Sequence, residues 1–93
     1  MHEMSLIHNL VHKIEDIARE QKARKISSVK VRLGALSYIS AGHFREHFED
    51  ETKSTVAEGA RLDIEGSEDI HDPHAQDILL LSVECEIAEP SEK

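Results

Sequence analysis

The residues that place the most chemistry in the smallest space are the first three, Met1-His2-Glu3. A histidine directly after a free amino terminus is a chelator. The α-amine of Met1, the amide nitrogen of His2 and the His2 imidazole Nδ1 close two fused rings, one five-membered and one six-membered. The Glu3 amide nitrogen, or a carboxylate, fills a fourth planar position. Square-planar nitrogen and oxygen coordination suits Ni(II) and Cu(II). Met1 is expected to be retained, because the bulky His2 hinders removal of the initiator. Three terminal residues alone weigh little, since chain ends often carry a chance histidine.

Three further histidine pairs invite comparison. His43-Phe44-Arg45-Glu46-His47 matches the H-x-x-E-H pattern of inverzincin proteases. Histidines four apart on a helix share a face and grip one zinc. A protease also needs a third ligand from a further helix and a cleft for peptide, and this chain has neither the helices nor the length. The match reads as chance, with an adventitious surface metal as the remaining chemistry. His71-Asp72-Pro73-His74 reads either as a loop that takes up stray metal or as a polar turn set by Pro73, and the turn is the favoured reading. His8 and His12, one helical turn apart, form either a metal pair or a solvated flank, and the bordering Asn9 and Lys13 favour the flank. No Ser-His-Asp arrangement, phosphate loop or paired catalytic carboxylates stand out, so no enzyme is expected.

These residues have to be positioned by a small frame. Ninety-three residues suit one domain with a two-layer core, filled mainly by Leu, Ile, Val and Ala because only Tyr38, Phe44 and Phe48 are aromatic. A formal charge of −8 argues against a nucleic-acid backbone or an anionic membrane as partner. It fits a cation or a basic protein surface, although a solvated acidic face is the more common reason for such a balance. One cysteine excludes an internal disulfide, and Cys85 alone cannot build a thiolate zinc site. No apolar run approaches spanning length and residues 1–20 lack a signal peptide's apolar block, so a cytoplasmic protein is expected.

Ser5 reads as an N-cap for a helix over residues 5–23, with Ile7, Leu10, Val11, Ile14, Ile17 and Ala18 forming one apolar stripe. The chelating tripeptide then precedes that helix. Val29, Val31 and Leu33 alternate with Lys30 and Arg32 as a half-buried strand ended by Gly34. Ser40 caps a second helix carrying Phe44, Phe48 and Thr52, which fades near Lys53–Ala57, and Gly59 marks a turn. Arg61 to Glu65 alternates again, with Leu62 and Ile64 inward, and residues 66–77 form a loop. The last strand places Leu79, Leu81, Val83, Cys85 and Ile87 on the core face, so Cys85 reads as a small buried hydrophobe. The tail Ala88–Lys93 is polar and expected to fray. The fold class is α+β, order α-β-α-β-β: a three-stranded mixed sheet covered on one face by two helices, its outer face polar. The strand–helix–strand unit predicts a parallel pair with a right-handed crossover, and the last strand antiparallel.

Taken together, Met1-His2-Glu3-Met4-Ser5-Leu6, Val31-Arg32-Leu33-Gly34-Ala35-Leu36-Ser37, Ala57-Glu58-Gly59-Ala60-Arg61-Leu62 and Leu79-Leu80-Leu81-Ser82-Val83-Glu84 resemble the HypA/HybF hydrogenase maturation factors. The resemblance runs through nearly the whole chain in order, with the opening M-H-E its most specific motif. It implies a nickel metallochaperone that holds Ni(II) at Met1, His2 and Glu3. The implied partners are a HypB-type GTPase and the large subunit of [NiFe]-hydrogenase. The family also carries a zinc domain of two Cys-x-x-Cys knuckles before its last strand. Here Glu65 runs straight into Gly66-Ser67-Glu68-Asp69, so the resemblance implies one nickel-binding domain over 1–93 and a loop, 66–77, in place of the zinc domain. Zinc is then not expected. A loop altered in this way favours exchange of the last strand between protomers, so a monomer and a strand-swapped homodimer both stay open. The competing function is a protein–protein adaptor that docks the GTPase or the hydrogenase through His8, His12, Glu15, Asp16 and Arg19, without a dedicated metal site.

Overall fold

The computed structural model describes the backbone of residues 2–87 and the side chains of residues 5–87. The order is α1 (His2–Glu20), β1 (Ala23–Leu33), α2 (Ala41–Glu51), β2 (Arg61–Gly66) and β3 (Ile78–Ile87). β1 lies between the other strands, parallel to β2 and antiparallel to β3. The expected α+β class, element order and mixed sheet are what the chain adopts. The expected fraying of Ala88–Lys93 lies outside the described residues.

Helix α1 starts earlier than the spacing predicts. Ser5 is an exposed residue inside the helix and not its cap. His2, Glu3 and Met4 contain no helix breaker, and an acidic residue in the first turn complements the positive end of the helix dipole. The helix also stops before residue 23. The Lys22 backbone takes the left-handed conformation at φ 57 that commonly follows a helix end. Ala23 is already paired with Ile87. Ile7, Leu10, Val11, Ile14 and Ala18 are buried as the stripe requires.

β1 is longer than its alternation reveals because its ladder with β3 is irregular. Ile26 opposes Cys85 and Ser28 opposes Glu84, leaving Ser27 as an extra residue. Ile26 and Val29 therefore both reach the core, three positions apart, which breaks the period-two pattern. The Ile26 N–H donates instead to the Val56 carbonyl at 2.9 Å, so the bulge leaves no orphaned donor there.

The same physics corrects the face assigned to β3. Lys30 opposes Ser82 and Val31 opposes Leu80, so Leu81 is a bulged, unpaired residue. Beyond it the strand presents the other parity: Ile78 and Leu80 join Val83 and Cys85 against the core. Leu79, Leu81 and Ile87, all assigned to the core face by the alternation, are not part of the core: Leu81 is 38% exposed and Ile87, at the strand's end, 53%. Cys85 faces the core but is only half-buried.

Ser40 does cap α2, its hydroxyl accepting from the His43 N–H at 3.1 Å. Phe44 and Phe48 are buried with ring centroids 5.8 Å apart. The helix ends at Thr52, sooner than Lys53–Ala57, where the buried Thr52 hydroxyl donates to the Phe48 carbonyl at 2.9 Å. On the outer sheet face Arg32 binds Glu65, its register partner, through Nε at 3.0 Å and Nη2 at 2.8 Å. The 66–77 loop folds back onto the end of β1: Gly34 N–H donates to the Asp77 carbonyl and Leu36 N–H to the Ala75 carbonyl.

Candidate metal centre

The backbone of His2 and Glu3 forms the first turn of α1 and does not precede the helix as expected. The side chains of Met1, His2 and Glu3 lie outside the described residues. The first amide nitrogens of any helix have no carbonyl acceptor within it. Coordination by the amide nitrogens of His2 and Glu3 would thus remove no hydrogen bond of α1.

The other histidines are placed fully. His43 and His47 share a flank of α2 with ring centroids 6.1 Å apart. Among the described residues no three His, Cys, Asp or Glu side chains come together as a metal site, so no third ligand joins that pair. In the 66–77 loop the acids serve the backbone. Asp69 accepts from the His71 N–H at 3.0 Å and Asp72 from the His74 N–H at 2.9 Å, while His74 Nδ1 lies 3.0 Å from Asp77.

His8 and His12 behave differently from a simple solvated flank. Their ring centroids are 4.5 Å apart with planes at 68°. His8 Nδ1 also lies 3.2 Å from Glu51 Oε1, tying α1 to the last turn of α2. Sequence reasoning missed Glu51. It stands 43 positions from His8, and only the packing of the two helices brings them together. The His-x-x-x-His spacing was the one signal available.

A depression of about 350 Å³ at the carboxyl ends of the parallel strands β1 and β2 is lined by Leu33, Tyr38, Ile39, Ile64 and Ser67 among others. It is lined by no His, Cys, Asp or Glu and offers a metal no strong donor. No described helix is long and apolar enough to cross a membrane.

A family model described as hydrogenase/urease nickel incorporation, metallochaperone, hypA matches residues 1–71. The hydrogenase maturation factor HypA of Methylocella silvestris is 43% identical over 65 residues, which cover 70% of this chain and 58% of that protein. The factor of the same name from Archaeoglobus fulgidus is 38% identical over 64 residues, covering 69% and 58%. The chain thus spans under three fifths of the length of these curated relatives. In fold it is similar to the solution structure of the Ni metallochaperone HypA from Helicobacter pylori, with a TM-score of 0.75 at 23% identity. That match covers 92% of this chain and 98% of the other.

Proposed function

The chain belongs to the HypA family of nickel-incorporation metallochaperones, and from that premise we propose that it binds Ni(II) at its amino terminus and passes it on without catalysing a reaction. The observation that carries the proposal is the family match over residues 1–71, which begins on Met1-His2-Glu3 itself. The Met1 amine, the His2 amide nitrogen and the His2 Nδ1 are the donors, with Glu3 supplying the fourth through its amide nitrogen or its carboxylate. This set suits the square-planar preference of Ni(II). It also suits a carrier, which has to release the ion to its next protein.

In this reading the recipients are the family's implied partners, a HypB-type GTPase and the large subunit of [NiFe]-hydrogenase. The 66–77 loop takes the place of the relatives' zinc-binding domain, and 1–93 works as one nickel-binding domain. A monomer and a homodimer that exchanges β3 would both keep this pairing of β1 with β3. Exchange of β3 through the same loop would give the dimer, and sedimentation at varied concentration separates the two.

The test is a nickel titration of tag-free protein, of protein carrying a Gly-Ser extension before Met1, and of His2→Ala. The extension turns the amine into a poor amide ligand, and His2→Ala removes the second chelate ring. Both should lower nickel affinity strongly, and in tag-free protein affinity should fall with pH because the donors must lose protons to coordinate. Equal affinities in all three proteins would move nickel away from the terminus. The adaptor reading, in which α1 docks a partner through His8, His12, Glu15, Asp16 and Arg19, would then lead, and capture of the GTPase by metal-free protein would support it.

A further inference from the structure

The seam between the two helices carries a second constellation, independent of the terminal tripeptide. Glu51 Oε1 lies 3.2 Å from His8 Nδ1. An ionised carboxylate only accepts, so the shared proton sits on Nδ1. In the neutral ring this leaves the lone pair on Nε2. The His8 side chain is 58% exposed, so the ring lies within reach of an ion from solvent. Metal-ligating histidines usually donate their other ring N–H to a carboxylate, which fixes the tautomer, orients the ring and makes it a better donor. The His12 ring stands 4.5 Å away, centroid to centroid, one turn along the same exposed face.

We propose that His8 and His12 chelate one divalent transition-metal ion, with Glu51 as the outer carboxylate that holds His8 ready. Imidazole pairs suit Ni(II), Cu(II) and Zn(II), and water completes the coordination. With two protein ligands, the site is compatible with the lack of any three-ligand cluster among the described residues. His43 and His47 have the spacing, but neither has a carboxylate hydrogen-bonded to its ring among the described residues. His74 has Asp77 but no second imidazole packed against it among the described residues. Among the described residues only the His8 pair combines both features. Position 8 lies six residues after position 2, a rise of about 9 Å along α1 and about 120° around it, so the two sites share the helix but not one face.

The experiment uses the Gly-Ser-extended protein, in which the terminal amine is blocked, titrated with Ni(II) and separately with Zn(II). One weak binding event should remain. His8→Ala or His12→Ala should abolish it, and Glu51→Gln should weaken it about tenfold, the low end for losing an outer carboxylate. His43→Ala should leave it unchanged. In the unmutated protein the ring nitrogen resonances of His8 and His12 should be the ones that shift, which keeps the test valid even where a variant folds poorly. No binding to the extended protein, binding that survives both alanine variants, or shifts confined to other histidines would overturn the proposal. Failure of the terminal nickel site shows instead as equal affinity with and without the extension, and leaves these arms intact.

Discussion

Replacing Gly34 by alanine tests how firmly the 66–77 loop is held to the sheet. A Cβ at Gly34 would stand 2.2 Å from the Ala75 carbonyl oxygen, 2.5 Å from its carbon and 2.7 Å from the His74 oxygen, all backbone atoms. No rotamer change relieves that contact. The two segments must separate by about 1 Å to reach ordinary van der Waals distance. That movement pulls directly on the hydrogen bonds Gly34 N–H to Asp77 at 2.9 Å and Leu36 N–H to Ala75 at 2.7 Å. It also begins to uncover Ala75, which is 4% exposed. At roughly 1 kcal/mol for each hydrogen bond, with desolvated partners left behind, the cost comes to about 2–4 kcal/mol. In a chain of this size that corresponds to a melting temperature lower by about 10–25 °C. Urea unfolding followed by far-UV circular dichroism measures it directly. Gly66→Ala is the control, because a Cβ there meets nothing within 4 Å, and it should stay within about 0.5 kcal/mol of wild type. A Gly34→Ala midpoint equal to that of Gly66→Ala would refute the docked loop.

Other expected outcomes follow from burial and register. Phe44→Ala, at a fully buried ring stacked on Phe48, should cost about 3–5 kcal/mol in the same assay; a loss under about 1 kcal/mol would mean α2 is not packed as described. Leu81→Asn should be nearly neutral and Leu80→Asn clearly destabilising, since Leu81 is the bulged residue and Leu80 packs on the core; the reverse ranking would restore the regular alternation. Cys85, half-buried on the core face, should react slowly with a thiol reagent in the native protein and rapidly in urea, and equal rates in both would place it in open solvent.

Much of this fold is legible without a structure, for local reasons. The apolar stripe of α1, the Ser40 cap and the faces of Leu62 and Ile64 depend on short-range periodicity and capping chemistry, which neighbouring residues determine. The proposed Met1-His2-Glu3 site could be named from the sequence as a candidate, because its donors are adjacent in the chain. What the sequence left undetermined was set by long-range pairing. The extra residues Ser27 and Leu81 arise where β1 and β3 must stay in register while each keeps its apolar groups inward, and a bulge reverses the parity of every residue beyond it. No window of β3 alone reveals that Leu80, and not Leu81, meets the core. Glu51 is the same case at the level of function. Its carboxylate becomes a partner of His8 only because α1 and α2 lie side by side on one face of the sheet, a relation that forms when their buried stripes pack together.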